Sequence, residues 1–141
     1  MSSKKKKKLY QNFKMILHIN AVEANDVPSM DLITKSDPYL VFKSNKTKEV
    51  WKTKSIKNTD TPVWNEKIKI PITASMDDTI TAELWDQDGI THDDLISTLV
   101  FIVKYLPVGK DTDIWYNFNP AEGVKKGGKV RLVLHLDKQK N

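Results

Sequence analysis

Residues 130–136 read Val-Arg-Leu-Val-Leu-His-Leu, and every second residue of this stretch is aliphatic. A two-residue period is the pattern of a β-strand that buries one of its faces. Residues 67–70, Lys-Ile-Lys-Ile, repeat the same period. No segment keeps the 3.6-residue period of an amphipathic helix. The sequence therefore predicts an all-β protein.

Turn residues divide the rest of the chain into short β-rich segments. Asp37-Pro38, Thr61-Pro62, Asp88-Gly89 and Gly127-Gly128 are all typical turn dipeptides. Between the turns we predict eight strands, at about 14–23, 38–44, 47–56, 63–71, 78–86, 95–103, 113–118 and 128–137. Short strands at this spacing favour an eight-stranded antiparallel β-sandwich.

Composition limits the remaining possibilities. The chain has 141 residues and no cysteine, which suits one domain and excludes disulfides and thiolate metal sites. No apolar run approaches the ~20 residues of a membrane-spanning helix, so we expect any membrane contact to be peripheral. The absence of cysteine fits a cytoplasmic protein. Five of its 23 basic residues form the run Lys4–Lys8. We predict that residues 1–12 are a disordered lysine-rich arm and that 13–141 form the domain.

Acidic residues are concentrated in two of the predicted connections. Connections in an antiparallel sandwich alternate between its two ends, so the first and fifth belong at the same end. Asp77-Asp78, in the fourth connection, belongs at the opposite end. The acidic residues of the first and fifth connections are Asp31, Asp37, Asp86, Asp88 and Asp94.

Five carboxylates at one end of the fold would repel one another unless a cation neutralised them. Oxygen ligands in loops favour calcium among the common cations. The spacing is not that of an EF-hand, because Gly89 follows Asp86 too early and Ser97 occupies the position of the last ligand. No catalytic constellation is present, and we do not expect an enzyme.

Three segments carry a resemblance to a known family: NDVPSMDLITKSDPYLVF at 25–42, TPVWNEKIKI at 61–70 and LWDQDGITHDDLIS at 84–97. They closely resemble the C2 domains of synaptotagmins and conventional protein kinase C, calcium-dependent phospholipid-binding modules. The resemblance extends from about residue 14 to residue 137. The segment KGGKVRLVLHLDK at 126–138 resembles a strand that comes first in synaptotagmin-like members. The resemblance therefore implies the circularly permuted type II topology.

The resemblance implies a ligand role for all five aspartates, and calcium as the cofactor. It also implies coordination by the backbone carbonyls of Leu32 and Gln87. Thr91 matches a serine that supports an additional ion in some members, and Asn58 matches a ligand found in part of the family. Leu32 and Ile90 match positions that insert into membranes, and Met30 and Ile33 are further apolar residues of the first loop.

Lysines alternate along two predicted strands, Lys52 with Lys54 and Lys67 with Lys69. They resemble the cluster with which some C2 domains bind phosphoinositides, although a solvated sheet face would show the same pattern. The lysine arm could attract an anionic membrane, serve as a nuclear import signal, or contact nucleic acid nonspecifically.

The leading interpretation is calcium-dependent binding of anionic phospholipid membranes, with phosphatidylserine and phosphoinositides as the expected lipids. One alternative is an adaptor that holds a protein partner on a sheet face. Another is calcium-independent binding of phosphoinositides through the basic residues. We expect a monomer whose partner is not nucleic acid.

Overall fold

The computed structural model describes residues 13–139, so the predicted lysine-rich arm lies outside the described residues. The described part contains nine strands and one 3₁₀ turn, Val103–Tyr105. The strands are β1 (Phe13–Asn25), β2 (Pro38–Ser44), β3 (Val50–Lys52), β4 (Val63–Thr73), β5 (Thr79–Asp86), β6 (Asp94–Ile102), β7 (Asp111–Asn117), β8 (Asn119–Pro120) and β9 (Lys129–Lys138).

Two antiparallel sheets form the predicted sandwich. One sheet has the order β4-β1-β9-β7 and the other β3-β2-β5-β6-β8. The last strand, β9, lies between β1 and β7 and pairs antiparallel with both. This position confirms the type II order that the sequence predicted. Within residues 13–139, no helix is long and apolar enough to cross a membrane.

The core lies between the sheets and follows the two-residue period. Leu132 and Leu134 of β9 are buried, whereas Arg131 and His135 are partly exposed on the other face. Phe42 and Leu84 bury the inner face of the second sheet. Burying a large apolar side chain stabilises a fold by about 1.5–3 kcal/mol, so this inner layer provides the main stabilisation.

Two elements differ from the predicted strands. The predicted strand 47–56 forms a β-strand only over β3, which ends at Lys52 because the pairing with β2 changes at Thr53. The Leu40 N–H donates to the Thr53 hydroxyl at 2.9 Å, where regular pairing would use a backbone carbonyl. The second difference is β8, a two-residue strand that pairs with Ser97 and Thr98 at the end of the second sheet.

A close backbone contact fixes the turn before β9. A Cβ added to Gly127 would lie 2.5 Å from the Phe118 carbonyl oxygen, while Gly89 has open space around it. The Gly127 carbonyl also accepts a hydrogen bond from the buried Ser97 hydroxyl at 2.8 Å. Only a glycine fits this approach without moving the backbone.

We predict that Gly127→Ala lowers the free energy of unfolding by about 1–3 kcal/mol, because the methyl group must displace backbone atoms. Gly89→Ala is the matched control, and its effect should stay within about 0.5 kcal/mol. Urea unfolding in a calcium chelator measures both. Equal stability of the two variants would contradict the close contact.

Candidate metal site

Three loops meet at one end of the sandwich, where the first, third and fifth connections come together. Strand register places two of the aspartates, because Asp86 ends β5 and pairs with Asp94 at the start of β6. On the other side, Asp86 pairs with Pro38, so Asp37 is adjacent. A recess of about 300 Å³ is lined here by all five predicted residues, Asp31, Asp37, Asp86, Asp88 and Asp94. We call it the acidic recess.

Hydrogen bonds between the loops hold Asp37 and Asp86 together. The Asp37 N–H donates to Asp86 Oδ1 at 2.8 Å, and the Gln87 N–H donates to the Asp37 carbonyl at 3.0 Å. The third connection joins through Asn58, whose N–H donates to Asp37 Oδ1 at 2.7 Å. These bonds place carboxylates from distant segments in one small volume.

Asp31 and Asp88 are each held by their own turn in the same way. Asp31 accepts from the Ile33 and Thr34 N–H groups and from the Thr34 hydroxyl, at 2.7–3.0 Å. Asp88 accepts from the N–H groups of Ile90 and Thr91 and from the Thr91 hydroxyl.

These hydrogen bonds favour the ionised forms of both turn carboxylates. The Thr34 N–H, with smaller contributions from other donors, lowers the pKa of Asp31. The Thr91 hydroxyl similarly lowers the pKa of Asp88, again with help from the backbone of its own turn. Both side chains therefore remain negative under ordinary conditions.

Asp86 is in the opposite electrostatic situation. Burial raises the pKa of Asp86, and the charge of Asp37 adds to this effect. Asp94 lies directly opposite on the paired strand, and like charges in that position destabilise a sheet. Repulsion among the carboxylates near Asp86 therefore destabilises the fold at the centre of the recess.

The chemistry of the donors fits calcium. Carboxylate oxygens dominate the lining, histidine and cysteine are absent from it, and loops supply several of the residues. Lys35 also lines the recess, but its ammonium group forms an ion pair with Asp60 at 3.5 Å. The recess also has room for hydrated ions, since a water molecule occupies about 30 Å³. Across residues 13–139, however, no group of three or more His, Cys, Asp or Glu side chains is already arranged to hold a metal ion. The two turn carboxylates would have to redirect their oxygens.

The four additional ligand candidates have different positions. Gln87 lines the acidic recess, and its side-chain oxygen accepts a hydrogen bond from the Ser55 hydroxyl. Thr91 contacts Asp88. Asn58 uses its Oδ1 to accept from the Lys35 N–H at 2.9 Å, so in this structure it organises the loops. Leu32 lies at the extremity of the first loop, outside the lining.

Apolar residues project beside the recess. Leu32 and Ile33 of the first connection and Ile90 of the fifth connection are almost fully exposed. Met30 differs from them, because it lines the recess and packs against the core. The structure thus presents three aliphatic side chains to solvent next to five carboxylates.

The predicted lysine cluster is divided between two sheets. Lys52 and Lys54 line a recess with Tyr39, Gln87 and Asp93, next to the acidic recess. Lys67 and Lys69 line a different recess, on the outer face of the β4-β1-β9-β7 sheet. The four side chains therefore do not form the single patch that alternation along the strands suggested.

Asp93 has a role that sequence reasoning missed. Its carboxylate accepts from the Asp88 N–H at 2.9 Å and from the Tyr39 hydroxyl at 2.5 Å, and the Tyr39 bond lowers the pKa of Asp93. Asp93 thereby connects the fifth connection to β2. The doublet Asp93-Asp94 could have indicated this role, because adjacent residues at a strand end point in different directions. If Asp94 faces the acidic recess, Asp93 must face other residues.

Comparison with known proteins agrees with this architecture. Residues 15–118 match the family model described as the C2 domain. The chain belongs to the C2 domain family. Among solved structures, the C2 domain designated A of plant extended synaptotagmin 1 superimposes with a TM-score of 0.83 at 18% identity, over 92% of this chain and 98% of that one.

This chain spans only a small part of the length of its curated relatives. This chain is 26% identical to Synaptotagmin-4 of Arabidopsis thaliana over 96% of its own length, but it spans only 22% of that protein. It is 31% identical to Tricalbin-1 of Saccharomyces cerevisiae over 85% of its length and spans 10% of that protein. The calcium-bound structure of the two C2 domains, A and B, of extended synaptotagmin 2 gives a TM-score of 0.73 at 25% identity, covering 88% of this chain and 46% of that one.

The electrostatic cost at Asp86 generates a prediction for the protein in a chelator. Because its folded-state pKa is raised, ionised Asp86 destabilises the fold, and this loss of stability develops as the pH rises through that pKa. We expect Asp86→Asn, which can keep the bond from the Asp37 N–H, to raise the free energy of unfolding at neutral pH by up to about 1 kcal/mol. Below the pKa of ordinary carboxylates the gain should disappear.

Asp77→Asn is the matched control at the opposite end. Hydrogen bonds from the Ser75 hydroxyl and Lys46 lower the pKa of Asp77, so its substitution should give no stabilisation. Thermal unfolding at several pH values measures both variants. A loss of stability in Asp86→Asn at neutral pH would show that the recess is not electrostatically strained.

Proposed function

We propose that this C2 domain binds anionic phospholipid membranes when calcium is present, through the acidic recess and the aliphatic loop ends beside it. Family membership supports a membrane-binding module. The convergence of five aspartates from two connections on one recess supports the calcium dependence. The calcium-bound structure of a relative supports it further.

Electrostatics gives the physical reason for a calcium requirement. Without a cation, the five carboxylates repel an anionic lipid surface, and the hydrogen bonds at Asp31 and Asp88 keep two of them ionised. Bound calcium would supply positive charge and unfilled coordination positions for lipid phosphate oxygens. The five aspartates would hold it, and Gln87 or Thr91 could add neutral oxygens.

The aliphatic residues give the bound state a second attachment. Leu32 and Ile90 come from different loops, and both project away from the core. Burial of such a side chain in the acyl region is worth about 1.5–3 kcal/mol, which is available only after charge repulsion has been removed. We propose that the protein is thereby recruited from the cytoplasm to a membrane surface as a peripheral protein.

A second function is favoured by the position of Lys52 and Lys54. Their recess shares Gln87 with the acidic recess, and Tyr39 and Asp93 also line it. We propose that these lysines select phosphoinositide headgroups on the membrane to which the loops attach. A neutral lipid surface would gain nothing from them.

Sedimentation with vesicles containing phosphatidylserine tests the calcium requirement. Wild-type protein should sediment with calcium and stay in solution with chelator, whereas Asp86→Asn/Asp88→Asn should stay in solution in both conditions. The control Asp77→Asn/Asp137→Asn makes the same charge change at the opposite end and should behave as wild type. Equal binding by all proteins with and without calcium would contradict the proposal.

The aliphatic contact has a separate test. Leu32→Ser and Ile90→Ser should each weaken calcium-dependent vesicle binding by about tenfold or more, since each removes about 1.5–3 kcal/mol of apolar burial. Their stability in solution should hardly change, because both side chains are already exposed. Val100→Ser, an exposed residue of β6, is the control and should leave binding unchanged. The same weakening in all three variants would argue against insertion by the loops.

A further inference from the structure

The outer face of the β4-β1-β9-β7 sheet carries a second recess, which the proposed calcium function does not use. Its volume is about 420 Å³, within the range of small-molecule sites in proteins. Because Leu17 and Ile19 of β1 point into the core, the residues that alternate with them point outward. The outward residues of β1, β4 and β9 that line it are His18, Asn20, Lys67, Lys69, Val133 and His135. We call it the outer recess.

Strand register arranges these residues in two rows across the sheet. In the first row Lys69 pairs with His18, and His18 pairs with His135. In the second row Lys67 pairs with Asn20, and Asn20 pairs with Val133. Each row therefore begins with a lysine on β4 and continues over the same two neighbouring strands.

The two lysines offer uncompensated positive charge. Both are exposed, and neither has an ion pair within the part of the chain that the structure describes, whereas Lys43 and Lys46 bind Glu83 and Asp77. Being two residues apart on one strand, Lys67 and Lys69 are about 7 Å apart along the backbone, on the same face. That spacing lets both ammonium groups reach one anionic ligand.

The acidic residues that β7 contributes to this face lie far from the lysines. Asp111 lines the recess on β7, three strands from β4 and thus about 14 Å away, and it already binds His135 Nδ1 at 2.8 Å. Asp113 is neutralised by two hydrogen bonds from Arg131 at 2.8–2.9 Å. The β4 side of the recess consequently keeps its positive character.

Neutral polar groups lie between the charged ends. Asn20 Oδ1 is buried and has no hydrogen-bond partner among the described residues, so no hydrogen bond to these residues holds this oxygen in place. Its side chain can rotate to donate to, or accept from, a bound hydroxyl group. The His18 ring packs edge-on against His135, with their centroids 6.0 Å apart, and adds further hydrogen-bonding nitrogen atoms.

We propose that the outer recess binds a phosphate ester that also carries hydroxyl groups, such as a phosphorylated inositol or sugar. Lys67 and Lys69 bind the phosphate, while Asn20 and the histidines contact the hydroxyl groups above the aliphatic surface of Val133. Calcium is not required, because the acidic recess is formed by the loops at one end of the sandwich and shares no residue with this site.

Calorimetric titration with inositol 1,4,5-trisphosphate in a chelator tests the site. Each lysine beside an anionic group changes the dissociation constant roughly fivefold. The double substitution Lys67→Gln/Lys69→Gln should therefore weaken binding by about 25-fold. Asn20→Leu, which removes an unsatisfied amide and should fold normally, should also weaken binding. Lys52→Gln/Lys54→Gln removes the same charge from the other sheet and should weaken binding less than Lys67→Gln/Lys69→Gln.

The lysine arm is present in every variant and could itself attract the ligand. Changes in backbone amide NMR shifts therefore identify the residues at which the ligand binds. Shifts centred on β1, β4 and β9 support the proposal, and shifts confined to other segments overturn it. Equal or greater loss in Lys52→Gln/Lys54→Gln also overturns it, as does undetectable binding by the wild type.

A second experiment identifies the source of the phosphate. Vesicles of phosphatidylcholine with phosphatidylinositol 4,5-bisphosphate are compared with the soluble ligand, again in a chelator. Binding to both through Lys67 and Lys69 assigns the site to a lipid headgroup, and binding to the soluble ligand alone assigns it to a free phosphate ester. Vesicle binding that survives Lys67→Gln/Lys69→Gln unchanged contradicts the lipid assignment.

Discussion

The register of β2, β5 and β6 is the constraint on which the candidate metal site depends. It pairs Asp86 with Asp94 and places Asp37 beside them, so three carboxylates meet before any loop conformation is considered. Like charges opposite one another destabilise a sheet, and burial increases this cost at Asp86. The fold tolerates the cost because the pairing lies at the ends of strands, while the central parts of the same strands bury Leu40 and Leu84 completely.

The loops complete the recess in a different way from the strands. Asp31 and Asp88 lie outside the ladder, and each is held by donors of its own turn, including a threonine hydroxyl. These donors stabilise the ionised carboxylates but also occupy the oxygens that a cation would need. The strength of the proposed cation binding would therefore depend on how readily the two turns release their hydrogen bonds, including those from the Thr34 and Thr91 hydroxyls.

Sequence reasoning predicted much of this arrangement and missed the parts that depend on side-chain geometry. Alternation predicted the sandwich, and the alternation of connections between its two ends brought the five aspartates together. The end of β3 at Lys52 could not be predicted, because it follows from the Thr53 hydroxyl replacing a backbone acceptor. The hydrogen bond from the Tyr39 hydroxyl to the Asp93 carboxylate, which joins residues 54 positions apart, could not be predicted either. Periodicity also could not show that Lys52 and Lys67 lie on different sheets. It shows which residues share one face of a strand, but not which strands pair to form a sheet.

The two recesses differ in rigidity, and this difference bears on what each can recognise. The outer recess is built on paired strands, whose register fixes the spacing of Lys67 and Lys69 without any loop. A site on strands holds its groups at constant distances, which suits a ligand with fixed positions of phosphate and hydroxyl groups. The acidic recess takes residues from loops as well, so its oxygens can adjust to an ion. The outer recess is cationic and the acidic recess is anionic. An acidic ligand that the loops repel in the absence of calcium can therefore still bind the outer face of the sheet.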